Sequence, residues 1–278
     1  MLKYISFHQK KTTKTKMEEN VKHLVFFHIP KTGGSSVWHA LAAKADLQGI
    51  PIVDLFYESI IKYSDSSKTL EAISDRQRLL RARTCLLHHH SEVKIQNYFD
   101  APPVYATIVR DPFDRFLSHI TFLSSKLRSG QMRKEAILGL GDPVEIQRVL
   151  ADPSIATHSL IDICSRCDYY QNYFRNWFGK LLLGRNGLGG DEDIKDVYDQ
   201  CFPEYVRSAF KNISCFTDLN KSFDEIAKSF ELTYGHVTLG HMLKVSKEHI
   251  SEAVRSKIIS YFEKDYAFLQ ELGFRYKI

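Results

Sequence analysis

Residues 28–36 read HIPKTGGSS, a lysine followed by two glycines and two hydroxyl residues. Each residue type has a use at an anion site. Lys31 brings a full positive charge. Gly33 and Gly34 let the backbone turn tightly and approach a ligand closely. Ser35 and Ser36 suit the first turn of a helix. A helix that starts here points its free N–H groups and the positive end of its dipole into the turn. With Pro30 and Thr32, these residues form a candidate cradle for phosphate or sulfate. An ordinary strand-to-helix turn would account for the glycines alone. It would not account for a lysine before them and two hydroxyls after them.

A second group is VRDPFDRFLSH at residues 109–119. Arg110 stands where an apolar stretch ends. Arg115 and Ser118 lie three apart and share a face if the segment is helical. The three side chains offer a fork of donors to a second anion, such as a sugar phosphate. The competing reading makes Asp111 a helix cap, pairs Arg115 with a carboxylate and leaves Ser118 incidental. A third group is His88, His89 and His90. On a strand His88 and His90 point to one face and His89 to the other. A histidine beside an anion site is a natural general base, since its unperturbed pKa is about 6.5. Core histidines are the alternative. Three adjacent strand histidines cannot all ligate one metal, and no metal site is expected.

The elements that must position these groups follow from hydrophobic patterning. Leu24, Val25, Phe26, Phe27 and Ile29 form a nearly continuous apolar run, as in a strand buried on both faces of a parallel sheet. Val37, Trp38, Leu41 and Ala45 fall at helical spacing and pack the next helix back on that sheet. Further strands are expected at 50–56, 84–90, 104–110 and 213–216. Asp111 suits an N-cap and Pro112 the first helical position of a helix that Gly130 closes. Residues 139–162 read as short helices and turns, and 167–178 as an aromatic helix. Residues 203–210 and 222–230 read as two more helices. Apolar spacing predicts helix from Ser246 to Leu272, with Gly273 as its stop. Strands alternating with helices imply an α/β fold with a mostly parallel central sheet and helices on both faces.

Composition narrows the class. A chain of 278 residues, 44% hydrophobic and 26% charged, is ordinary for a globular protein. Thirty-eight basic against 33 acidic residues give +5, with no basic run or aromatic-interleaved basic patch that would point to nucleic acid. No apolar run reaches the roughly 20 residues of a membrane span. Residues 1–20 are polar and read as a loose tail, with residues 21–278 as one domain. Five cysteines, an odd number, argue against a disulfide framework. Cys164 and Cys167 read as neighbours one turn apart on a helix face rather than as a zinc or redox pair.

Taken together, the three groups resemble the sulfotransferases that use 3′-phosphoadenosine-5′-phosphosulfate (PAPS), and among them the carbohydrate type that includes heparan sulfate 2-O-sulfotransferases. HIPKTGGSS matches that family's 5′-phosphosulfate loop, and RDPFDRFLS its 3′-phosphate element. The HHH segment lies between them, where the family places its catalytic histidine, often as His-Gly-His. The stretch QNYFRNWFG at 171–179 resembles a later family segment. The resemblance implies a P-loop-like three-layer fold, PAPS as donor, 3′,5′-bisphosphorylated adenosine (PAP) as product and a hydroxyl acceptor, a carbohydrate or other alcohol. It implies Lys31 as a catalytic cation, and Pro30 to Ser36, Arg110, Arg115 and Ser118 as the donor site. His89 stands where relatives often have Gly, so the base stays open between His88 and His90. Sulfuryl transfer needs no metal in this scheme. Without an anchor segment, a cytoplasmic enzyme is expected. Two rivals use similar parts. A P-loop kinase wants its lysine after the glycines, in G-x-x-x-x-G-K-[ST], whereas Lys31 precedes them. A non-catalytic nucleotide-binding protein on the same fold is the other.

Overall fold

The computed structural model describes residues 23–54, 86–89, 103–131, 144–174, 178, 210–215, 217–233, 239 and 250–276. Five strands lie within them: β1 Leu24–Phe27, β2 Ile52–Asp54, β3 Leu86–His89, β4 Val104–Val109 and β5 Phe210–Cys215. They form one sheet in the order β2-β3-β1-β4-β5, and every neighbouring pair is parallel. All four residues of β1 are buried, as expected for the central strand of such a sheet. Each expected strand is present within or close to its predicted span. The fifth starts earlier than expected, at Phe210, and pairs with β4 across an irregularity between Tyr105 and Ala106.

Eight helices are described: α1 Gly34–Leu47, α2 Pro112–Arg128, α3 Val144–Ala151, α4 Thr157–Ser165, α5 Asp168–Phe174, α6 Leu219–Ser229, α7 Glu252–Tyr261 and α8 Glu263–Glu271. Helices α1 and α6 cover one sheet face. Phe26, Ala106 and Ile108 pack there with Trp38, Leu41, Phe223 and Ile226. Phe27 and Val109 look to the other face, where they meet Phe178, Phe268 and Leu269. A separate apolar cluster joins α2 to α3, α4, α5 and α7 through Phe116, Leu150, Ile161, Phe174 and Ile258. The three-layer arrangement inferred from alternation is therefore present. No described helix is long and apolar enough to cross a membrane.

Helix α2 carries the second motif, and local chemistry sets its ends. Asp111 accepts from the Asp114 N–H at 2.9 Å, and Pro112 occupies the first position, where no N–H is needed. Lys126 and Arg128 complement the dipole in the last turn. Gly130 takes φ 67°, the left-handed conformation that ends helices readily only with glycine.

Two expectations are corrected. The pattern through Leu272 is two helices, not one. Phe262, buried between them, has φ −103° and ψ 12°, and its N–H reaches back to Ile259 O in a tightened turn. The break sends Ile258 and Phe262 to the α2 cluster, and Phe268 and Leu269 to the sheet. Cys164 and Cys167 do not share a helix. Cys164 is buried in α4, while Cys167 lies in the turn before α5, and both are free thiols. The expected tail 1–20 and residues 203–209 of the expected 203–210 helix lie outside the described residues; Phe210 itself is not helical but opens β5.

Candidate functional site

Strand order decides where a ligand can sit. From β1 the chain crosses toward β2 and β3; from β4 it continues to β5 on the opposite side. Strands β1 and β4 are neighbours whose onward connections run in opposite directions. That is the topological switch point, and open α/β sheets bind ligands at its carboxyl edge. Lys31 follows β1 there, and Arg110 follows β4.

The first loop is held from within. Thr32 Oγ1 donates to Ile29 O at 2.7 Å. Lys31 has φ 69°, a left-handed conformation that costs a non-glycine residue about 1–3 kcal/mol. Arg110 Nη1 donates to Lys31 O at 3.1 Å, which ties the two motifs together and helps hold that conformation. The ends of the strands are tied too, since Thr107 Oγ1 donates to Phe27 O at 2.7 Å. Gly33 caps α1 with φ 80°, and no side chain caps the helix. The first N–H groups of α1 therefore face the turn without a side-chain acceptor among the described residues. Ser35 and Ser36 are half-buried in this first turn.

The two glycines do different work. Gly33 needs its backbone freedom. Gly34 is helical and needs its missing side chain, because a Cβ there would lie 2.2 Å from His28 Cδ2. His28 is buried under the loop, and its Nδ1 lies 2.9 Å from His88 Nε2. One ring must donate and the other accept. The His88 ring stacks on Trp38 with centroids 4.3 Å apart and planes 10° apart. Burial, followed by the neighbouring His88, Lys31 and His39, holds His28 well below the ordinary histidine pKa. His28 is therefore neutral near pH 7, and the two stacked rings form the floor of the loop. His88 faces Trp38. The side chain of His89 and all of His90 lie outside the described residues.

Helix α2 supplies the opposite wall. Lys31 Nζ sits 3.9 Å from the centroid of the Phe122 ring, and Lys126 Nζ lies 5.7 Å from the same ring. Ser118, buried, is one turn before Phe122 on the same helix face. His119 packs edge-on against Phe174 at 4.9 Å. Arg115 is 2% exposed, with its guanidinium 5.1 Å and 5.5 Å from the Phe174 and Phe178 rings. It approaches the site from inside the helix packing rather than from solvent. Tyr266 of α8 donates to Asp111 Oδ1 at 3.2 Å and accepts from the Phe113 N–H at 3.4 Å, bracing the start of α2.

Crowded, partly buried cations give the site its electrostatic character. Burial, then Arg110 and Lys126, lowers the Lys31 pKa to about 8. Burial lowers that of Arg110 as well, against the opposing pull of Asp114 and Asp111. Burial, then Arg115 and Lys31, lowers His119 to about 3, so its imidazole is neutral. A bound multivalent anion would relieve all of these penalties together. No cluster of three or more metal-ligating side chains occurs among the described residues.

Sequence reasoning located the loop, Arg110 and α2. It assigned no role to His28, His119 or Phe122. His28 had one usable signal: period-two alternation places it on the face of Phe26. Nothing local marks Phe122 as the seat of Lys31, since the two are far apart in sequence.

The fold is α/β of the P-loop-like type, with the lysine–glycine loop at its switch point. Residues 15–135, which include both motifs and the histidine segment, match the model described as the sulfotransferase family. That stretch, less than half of the chain, is similar to the sulfotransferase family. No curated protein matches the chain.

Proposed function

We propose that the protein transfers the sulfuryl group of PAPS to a hydroxyl acceptor, of carbohydrate type by the resemblance of its motifs. The observation that carries this reading is the Lys31–Arg110 pair, two partly buried cations on adjacent strand ends beside a helix start with no side-chain cap. PAPS supplies the sulfuryl group and leaves as PAP. In this reading the N–H groups of residues 33–36 and the Lys31 ammonium hold the 5′-phosphosulfate, with Pro30 and Thr32 shaping the loop. They stabilise charge that grows on the leaving phosphate oxygen. A charge-assisted bond of this kind is worth about 1.5–3 kcal/mol. Arg110 and Ser118 take the 3′-phosphate, and Arg115 adds positive charge from behind.

The acceptor oxygen forms its bond to sulfur as the sulfur–oxygen bond to the 5′-phosphate breaks, as in in-line phosphoryl transfer. The hydroxyl proton passes to a histidine. His88 is buried with Nε2 against His28, which suits it to positioning. We therefore assign the base to His90. The sulfuryl group carries less charge than a phosphoryl group, so the loop cations suffice to neutralise it. A cytoplasmic setting completes the reading.

Transfer of radiolabelled sulfate from PAPS to a panel of sugars and simple alcohols, with EDTA present, tests it. Label should appear in an acceptor with the wild type and vanish with His90→Ala, while PAP affinity stays nearly unchanged. Magnesium-dependent ATP turnover would point to a kinase instead. Tight PAP binding with no transfer to any acceptor would leave a binding protein.

A further inference from the structure

Lys31 extends from its loop onto helix α2 and, among the described residues, ends over an aromatic ring rather than beside a carboxylate. Its Nζ is 3.9 Å from the Phe122 centroid, well within the roughly 6 Å reach of a cation–π contact. Phe122 is half-buried, and its body packs against the apolar cluster of α2, so the ring is fixed rather than free to follow the ammonium. The charged and titratable groups facing Lys31 are Arg110 from the end of β4, Lys126 and His119 from α2, and His28 from its own strand end. None of them is an anion. Asp111 and Asp114 act on Arg110 instead. With these neighbours cationic or neutral, the negative face of the Phe122 ring is the attractive partner among the described residues.

We propose that Phe122 is a positioning residue for Lys31, its ring face seating the ammonium beside the loop before an anion arrives. The catalytic consequence rests on the sulfuryl-transfer reading; the seating itself does not. An unseated lysine has four rotatable bonds and two cationic neighbours, Arg110 and Lys126, to avoid, so it would lose its alignment with the loop. Electrostatics gives the contact a second effect. A ring that attracts the ammonium opposes the loss of its proton, so removing the ring lowers the pKa of Lys31 further.

The test compares Phe122→Leu, which keeps an apolar side chain, with Phe122→Tyr, which keeps the ring. Lys31 is titrated directly by its rate of acetylation with acetic anhydride across pH 6 to 10, read by mass spectrometry. In Phe122→Leu the Lys31 pKa should fall by about one unit, corresponding to roughly tenfold. The alkaline limb of kcat/KM should move down by a similar amount, and Phe122→Tyr should restore both. An unchanged Lys31 titration in a folded Phe122→Leu variant would overturn the proposal, as would a Tyr variant that behaves like Leu. If Leu does not fold, Phe122→Met carries the same comparison. Failure of the transferase reading looks different: the acetylation shift would appear although the wild type transfers sulfate to nothing.

Discussion

Lys31→Met should make the protein more stable and nearly inactive. The ammonium is held at a pKa of about 8 against 10.5 for a free lysine. That drop corresponds to roughly 3 kcal/mol of unfavourable charge burial near neutral pH. Solvent contact at this half-buried group trims the figure. The lost contact with Phe122 offsets about 1–2 kcal/mol more. A methionine keeps a sulfur–aromatic contact and occupies the same left-handed backbone, so the strain at φ 69° cancels from the comparison. The remainder, about 1 kcal/mol, raises Tm by roughly 2–4 °C for a domain of this size. The sign has a pH signature. Between about pH 8 and 10.5 the unfolded wild type holds a proton that the folded wild type has released, so wild-type stability rises with pH across that window. The advantage of the methionine variant is therefore full below pH 8 and fades toward pH 10.5. Paired calorimetric melts at pH 7 and 9.5 measure it. A variant less stable than wild type at pH 7, or an advantage equal at both pH values, would refute the reasoning. Turnover should drop by orders of magnitude throughout, since the lysine is proposed to act on the transition state.

Gly34→Ala should destabilise the protein by several degrees because its Cβ meets the His28 ring at 2.2 Å, and combining it with His28→Ala should recover most of the loss in a double-mutant cycle of thermal melts. Tyr266→Phe should cost about 1 kcal/mol by removing the donor to Asp111, with a lower denaturant midpoint and weaker PAP binding than wild type. Replacing His119 with Phe should flatten the acid side of the stability profile. Its folded pKa of about 3 lies below that of the unfolded chain, so wild-type stability falls as pH drops from 6.5 toward 3, and that contribution vanishes in the variant. Arg110→Ala and Ser118→Ala should weaken binding of PAP much more than that of adenosine 5′-phosphate; equal losses in calorimetry would remove the 3′-phosphate assignment.

What could be read from the chain alone was what depends on near neighbours. The apolar run of β1, the glycine turn, the Asp111–Pro112 start of α2 and the glycine stops at Gly130 and Gly273 rest on steric and hydrogen-bonding preferences within a few residues, and each stands where it was expected. The lysine–glycine–hydroxyl loop and the strand-end arginine were legible because their chemistry is written in residue type. Tertiary structure decided the rest. The order of strands puts β1 beside β4, and only that makes Lys31 and Arg110 members of one site. The same long-range packing breaks the last helical pattern at Phe262, since one straight helix would not satisfy both the α2 cluster and the sheet face. It also changes the meaning of Gly34, whose spacing suggested room for a ligand and whose missing Cβ makes room for His28. The His28–His88 pair and the seat of Lys31 on Phe122 join side chains distant in sequence. Periodicity ranks a residue as buried or exposed along its own element. It carries no information on which element will fold against it.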